Sequence, residues 1–292
     1  MKSWDLVGLT ALGERTSGAA GTVVGLVDGP VAVGHPDLSG ADLHEIPGVP
    51  QGSCTTASSA ACLHGTFVAG MFAAGRNSVA PGICPGCPVL IRPIFHELGA
   101  GDPHTPSATA SELAAAIVQT VDAGARVINV SAALVRSSDR EDGLHAALDH
   151  AAARGAIVVA AAGNQGTVGS VTGITRHPWV IPVAACDLRG RPLDHANLGT
   201  SISRRGLRAP GEDIVGLAAG GGLRTLTGSS ASAPFVTGTI ALLWSEFPAA
   251  RPEEIRAAVL QRPLTARRAI VPPLLDAWAA YLSLARLAVR SG

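Results

Sequence analysis

Aromatic residues are scarce in this 292-residue chain: Phe, Trp and Tyr supply only 3% of it, with a single tyrosine. A hydrophobic core must therefore be built from Ala, Val, Leu, Ile and Gly, which suits closely packed helices and sheets. Charge is also sparse, at 15%, and it cancels: 22 Lys and Arg against 22 Asp and Glu. No basic stripe points to nucleic acid, and no acidic tail points to a solvating role. Lys2 is the only lysine. No apolar run approaches the roughly 18 residues needed to span a bilayer. The first residues lack the apolar stretch of a signal peptide, which leads to the expectation of a cytoplasmic protein. An HExxH pattern is absent, which argues against a zinc hydrolase. His145 and His150 are five apart on a predicted helix and do not share a face, so they make a poor metal pair.

Cysteine is present but uneven. The five are Cys54, Cys62, Cys84, Cys87 and Cys186. An odd number outside the secretory route favours free thiols. Cys84 and Cys87 have CxxC spacing, but no second pair completes a zinc site. A local disulfide, Cys84–Cys87 or Cys54–Cys62, is open under oxidising conditions.

What is abundant is apolar and small: 47% hydrophobic residues and 35 glycines. That composition excludes a disordered chain. The pattern alternates along the sequence. Residues 22–27, 156–162 and 180–185 are short apolar runs that read as buried strands, and 89–95 and 126–131 also read as strands. Helices are predicted after His64, and over about 111–123, 141–154, 230–247, 252–260 and 274–289. Strands apolar throughout must be covered on both faces, which marks a parallel sheet. The expected fold is a single α/β domain: a doubly wound, mostly parallel sheet with helices on both faces. Its expected parts are an N-terminal arm (1–21), the α/β domain itself (22–262) and a C-terminal helical extension packed on the core (263–292).

In such sheets, function sits beyond the carboxyl ends of the strands. Asp28 follows the strand 23–27 directly, and Asn164 closes the strand 156–162. His64 and Ser230 stand at two predicted helix starts. A serine hydroxyl is a weak nucleophile until a histidine takes its proton. The histidine needs a buried acid to fix its tautomer and stabilise the imidazolium. A developing oxyanion needs fixed donors, here the Asn164 amide and the Ser230 backbone N–H. These four residues supply every role.

The segments VVGLVDGPV, HGTFVAG, VINVSAAL, AIVVAAAGN, RAPGEDI and GSSASAPFVTG together resemble the blocks of the subtilisin-like serine proteases. They occur in that family's order, from about residue 22 to about 260, and the order Asp, His, Ser is that family's. The resemblance implies a triad of Asp28, His64 and Ser230 with Asn164 as the oxyanion residue. It selects Ser230 over Ser229 and Ser232, because the nucleophile stands four residues before the proline. His35 and Asp37 form a turn that relatives share, and this turn is read as structural.

Two segments, LVDGPVAVGHPDL and GICPGCPVLIRPIF, look like the proteases that cut leader peptides from cyanobactin-type precursors. This implies a serine endopeptidase of peptide maturation, with a precursor peptide as partner and neither nucleic acid nor membrane. The alternatives within the resemblance are a general or secreted subtilase and a peptide macrocyclase. Outside it stands an inactive binding scaffold, against which the intact set of four residues argues. Residues 51–62 are the only candidate for the inserted lid of a macrocyclase.

Where relatives carry Ser-Leu-Gly-Gly, this chain has Ser131, Ala132, Ala133 and Leu134. Main-chain pairing with a substrate strand should survive, while the side chains narrow the pocket before the scissile bond. Gly163 and the uncharged Gln165 line the same pocket in relatives. A small or medium neutral residue is therefore expected there. No cofactor is expected. Calcium occurs in the family, but the loop 75–81 lacks the carboxylates a hard cation wants, so no metal site is predicted. Residues 99–107 read as an exposed insertion near the cleft rim.

Overall fold

The computed structural model describes residues 2–48, 50–97, 107–131, 142–169, 173–261 and 269–291. Its helices are α1 (Lys2–Leu6), α2 (Leu9–Arg15), α3 (Ala60–Ala73), α4 (Ala110–Asp122), α5 (Asp142–Ala153), α6 (Gly173–Arg176), α7 (Thr200–Arg205), α8 (Ser229–Glu246), α9 (Pro252–Leu260) and α10 (Ala277–Ser291). Its strands are β1 (Val24–Asp28), β2 (Leu43–Glu45), β3 (Val89–Pro93), β4 (Val127–Val130), β5 (Ile157–Ala161), β6 (Ile181–Cys186), β7 (Leu207–Pro210), β8 (Ile214–Leu217) and β9 (Leu223–Leu226).

Seven strands form one sheet in the order β2-β3-β1-β4-β5-β6-β7, and every pairing in it is parallel. The expected doubly wound α/β domain is thus observed. The wholly apolar strands are explained by two separate cores. Val24 and Leu26 of β1, Val127 of β4, and Ile157 and Val159 of β5 face one core, with α3 and α8. Val27, Ile128, Val130, Val158 and Ala160 face the other, with α4 and α5. Period-two alternation sends successive side chains to opposite faces, so both faces must be apolar.

The chain leaves β1 in one direction to β3 and β2, then crosses to β4 and continues outward to β7. The reversal therefore falls at β1 and β4, which opens a crevice beyond their carboxyl ends. Asp28, Ser131 and the loop after β5 all lie there. α8 is buried on nearly every side and packs beneath β4, β5, β6 and β7. Pro234 sits inside it and has no N–H to give to the Ser230 carbonyl.

The structure corrects the sequence reading at several points. α3 begins at Ala60, capped by the Ser59 hydroxyl, so His64 stands in its second turn and not at its start. The serine side chain accepting from the Cys62 N–H satisfies an orphan donor that the sequence pattern did not flag. β4 lies inside the sheet between β1 and β5, so it is not an edge strand. Its continuation past Ser131, with Ala132, Ala133 and Leu134, lies outside the described residues, as does most of the 99–107 segment. The antiparallel β8–β9 hairpin was not anticipated. Among the described residues, no helix is long and apolar enough to cross a membrane.

Candidate active site

β1 delivers Asp28 to the crevice with its side chain wholly buried. One oxygen, Oδ1, accepts the Gly29 N–H at 2.6 Å. The same Oδ1 lies 2.6 Å from His64 Nδ1. A carboxylate only accepts, so Nδ1 carries the proton and Nε2 is left with its lone pair toward the cleft. Oδ2 is buried without a hydrogen-bond partner among the described residues. Here the next residues are Gly29 and Pro30, and neither brings a side-chain donor.

His64 reaches Asp28 because α3 lies unusually close to β1. A Cβ on Gly65 would stand 2.3 Å from the Gly29 carbonyl oxygen, and one on Gly29 would stand 2.0 Å from the Ala61 carbonyl oxygen. His64 keeps a quarter of its side chain exposed. Burial pulls its pKa down, but the Asp28 charge and hydrogen bond outweigh that and hold it above 6.5; Arg224 opposes them. Asp28 therefore favours the imidazolium that a proton abstraction creates.

Ser230 stands in the first turn of α8, partly exposed. Its rivals are engaged. Ser229 is buried and its Oγ accepts the Gly163 N–H at 3.1 Å. Ser232 is buried and its hydroxyl donates to the Gly228 carbonyl at 3.3 Å. Among the described residues the Ser230 hydroxyl makes no hydrogen bond, to His64 or otherwise. A longer resting contact between nucleophile and base is common before substrate tightens the site.

Asn164 follows β5 on a loop. Its Oδ1 accepts the Ser229 N–H at 2.8 Å, which fixes the amide so that Nδ2 is the free donor. Gly228 holds φ 138, and a Cβ there would meet Nδ2 at 2.6 Å. The Ser230 N–H lies in the first helical turn, where it has no intrahelical acceptor. Two donors thus stand beside Ser230 at the positive end of an 18-residue helix.

Sequence reasoning missed the residue that shapes this loop. Asn197 is buried, and its Oδ1 accepts from the Gln165 N–H at 3.0 Å and from the Thr167 N–H and hydroxyl. Its Nδ2 donates to the Ala162 carbonyl and to Gln165 Oε1 at 2.7 Å. Gln165 is therefore tethered to the loop. Gly163 holds φ 101, and a Cβ there would meet Asn197 Nδ2 at 2.4 Å. Asn129 was missed as well. It is buried, donates to the Ser131 hydroxyl at 2.6 Å and accepts from Thr237 at 2.9 Å, tying the end of β4 to α8. Ser131 consequently turns its side chain inward. No motif or periodicity marks a buried Asn whose partners lie tens of residues away.

Other polar groups are held by partners of their own. Cys54 and Cys62 form a disulfide that anchors the segment before α3, while Cys84, Cys87 and Cys186 are free and buried. Glu97 accepts from Thr55, Thr56 and Ser59 in the same segment. His35 and Asp37 form the expected turn, with His35 Nδ1 accepting the Asp37 N–H at 3.1 Å. His150 pairs with Asp122, while His145 meets Asp149 and His177. That trio has the ligand types of a metal site. The Trp179 N–H donates to His177 Nδ1 at 3.2 Å, however, so Nε2 carries the proton and gives it to Asp149. A ligand nitrogen must be bare, and this one is not.

An acid–histidine pair, an exposed serine at a helix start and an asparagine donor, set at the carboxyl end of a doubly wound sheet, form the arrangement that the resemblance to subtilisin-like serine proteases implies. A model of the subtilase family matches residues 19–270, and the chain belongs to that family. The thermophilic serine proteinase of Bacillus sp. (strain AK1) is 32% identical over 235 residues, covering 80% of this chain and 54% of that protein. Fervidolysin of Fervidobacterium pennivorans is 31% identical over 286 residues, covering 86% and 39%. The chain thus spans about half the length, or less, of these curated relatives. Among solved structures, a mutant of the protease domain of PatA superposes with a TM-score of 0.82 at 33% identity, covering 92% of this chain and 97% of that one. The prenylagaramide maturation protease PagA superposes with a TM-score of 0.81 at 29% identity, covering 95% and 98%. The PatG macrocyclase domain, at 20% identity and a TM-score of 0.79, shares the fold.

Proposed function

We propose that the protein is a serine endopeptidase of peptide maturation, which removes leader sequence from a ribosomally made precursor peptide. The observation that carries this reading is the likeness to PatA and PagA over nearly the full length of both chains. The first is a protease domain and the second a maturation protease. The uncharged Gln165 and the inward Ser131 support a pocket that takes a small or medium neutral residue.

The chemistry follows from the site. Asp28 holds the His64 Nδ1 proton, so Nε2 takes the proton of the Ser230 hydroxyl as Oγ attacks the scissile carbonyl. The carbonyl oxygen becomes an oxyanion between Asn164 Nδ2 and the Ser230 N–H. His64 then gives its proton to the departing amine, leaving an acyl group on Ser230. Water, deprotonated by His64, hydrolyses the ester and restores the serine. No cofactor or metal enters these steps.

The test has two parts. A serine-reactive phosphonate should label the wild type and not Ser230→Ala. Labelling of the mutant, or none of the wild type, overturns the assignment. The maturation role is tested with precursor peptides encoded beside this gene. Release of an intact leader at one bond supports the role. Indiscriminate cutting of the core peptide points instead to a general protease.

A further inference from the structure

The β8–β9 hairpin lies against the helix that carries His64. Gly216 of β8 abuts Phe67, where a Cβ would come 2.5 Å from the ring, and Leu217 meets Gly70 in the same way. Phe67 follows His64 by three residues on α3, which places the two side by side on the helix surface. Directly across the ladder from Gly216 is Arg224. Along β9, Leu223 and Thr225 are exposed, whereas Arg224 and Leu226 are partly covered. Arg224 therefore projects on the side of the hairpin that faces α3.

Its state there is unusual for this protein. Other covered arginines find acceptors: Arg92 bonds Gln119, Arg76 bonds the Thr16 and Ile83 carbonyls, and Arg126 bonds the Pro248 carbonyl. Arg208 bonds the Gly190 carbonyl. Arg224 has neither a hydrogen bond nor an ion pair among the described residues. It is close enough to His64 to oppose protonation of the ring. A half-covered guanidinium beside a histidine, with no counter-charge, is costly unless a ligand supplies the charge.

The substrate's direction says which part of the ligand this is. The oxyanion donors and the end of β4 lie at the carboxyl ends of the sheet strands and take the acyl portion. His64 must protonate the departing amine, so the residues after the scissile bond lie on its other side. The turn of the same hairpin (Ala219, Gly220, Gly221) and the segment around Val31 and Cys54 border an open groove of about 490 Å³. No carboxylate lines that groove.

We propose that Arg224 is a specificity residue that receives an Asp or Glu side chain within the first three residues after the scissile bond. This rests on the serine-protease reading of Ser230, His64 and Asp28. A guanidinium–carboxylate pair can be bidentate, and its partial burial shields it from salt. Acidic residues reaching this side of the hairpin would neutralise Arg224, and basic ones would be repelled by it.

The experiment is cleavage of a synthetic decapeptide library, degenerate at all positions and read by mass spectrometry, with wild type, Arg224→Gln, Arg224→Lys and Arg224→Glu. The wild type should enrich Asp and Glu over Lys and Arg by about tenfold or more within three residues after the cut. Arg224→Gln should flatten that enrichment, Arg224→Lys should keep part of it, and Arg224→Glu should reverse it. Thermal unfolding of each variant confirms that it is folded. A wild type that cuts and labels with phosphonate but shows no acidic enrichment overturns the proposal and leaves the protease reading standing. Enrichment unchanged in Arg224→Gln overturns it equally. A wild type that neither labels nor cuts any peptide overturns both.

Discussion

Gly65 of α3 rests on the backbone of Gly29, so close that a Cβ on Gly65 would lie 2.3 Å from the Gly29 carbonyl oxygen and 2.4 Å from that of Pro30. Both obstacles are main chain, so an added methyl cannot be relieved by a rotamer change. It must push the helix away from β1, and with it the 2.6 Å contact between His64 and Asp28. Gly65→Ala should cost about 1–3 kcal/mol of stability by overpacking. It should also lower kcat about a hundredfold, because displacement by about 1 Å at a catalytic pair has that effect. Gly143→Ala, on α5 with open space around it, should leave kcat unchanged. Unfolding curves and turnover of one peptide by the two variants check this. Equal kcat in both would mean that the close approach does not position His64.

The raised pKa of His64 makes a pH prediction. The group must be neutral to act as a base, so the acid limb of kcat/KM should fall above pH 6.5. Asp28→Asn removes the charge that, together with the Asp28 hydrogen bond, outweighs burial, so the limb should move to lower pH. The rate plateau should fall about ten-thousandfold, since the amide can present the wrong partner to Nδ1. The stability effect has the opposite sense to a carboxylate's. A histidine raised on folding contributes most below its unfolded value, about 6.5, and that contribution fades as pH climbs through the folded value. Wild type minus Asp28→Asn, followed by thermal melts from pH 5 to 9, should show this loss on the alkaline side. A difference that grows with pH would contradict the assignment.

The parts of the fold legible in the sequence were those dictated by burial on both faces. β5 and β6 are uninterrupted apolar runs, β1 is apolar up to its terminal Asp28 and β4 is broken only by Asn129, and α4 and α5 carry helical periodicity. β2 and β9 are short and largely exposed, so no pattern distinguishes them from loop. The four chemical residues were legible because each stands within a dense block of small residues, Asp28 and Asn164 at or just past a strand end, Ser230 at a helix start and His64 in a helix's second turn. Those small residues, sparse aromatics included, now have a physical reason: α3 and α8 must approach β1 and the Asn164 loop backbone to backbone. Asn197 and Asn129 were not legible, because their importance lies in which distant groups they satisfy. The uneven cysteine number resolves into one bridge and three buried thiols, a choice that spacing alone left open.

The Cys54–Cys62 disulfide closes a short loop, with eight residues of sequence separation, just before the catalytic helix. A loop of that size should contribute about 2–3 kcal/mol through the unfolded chain. Wild type should therefore melt several degrees lower in reductant, while Cys54→Ser with Cys62→Ser should not respond. Thiol titration gives an independent count. The denatured, unreduced protein should show three reactive thiols, from Cys84, Cys87 and Cys186, and five after reduction. Five thiols without reduction would remove the bridge from the account.

Asn164 does two jobs with its two amide atoms, and they can be separated. Its Oδ1 holds the Ser229 N–H at 2.8 Å, while Nδ2 points free beside Ser230. Asn164→Ala deletes both functions, so a loss of activity would not say which mattered. Asn164→Asp keeps an acceptor for Ser229 but replaces the donor with an anion where negative charge must develop. If Nδ2 is the oxyanion donor, kcat should fall by about a hundredfold to a thousandfold or more in both variants, with little change in KM. Stability should separate them: Asn164→Asp should stay near wild type, while Asn164→Ala leaves the Ser229 N–H unpaired and should lose about 1 kcal/mol or more. Steady-state kinetics and thermal melts on the same preparations read the two axes. An aspartate variant with near-normal kcat would show that the asparagine is a helix-start brace and that the oxyanion is held by the Ser230 N–H alone.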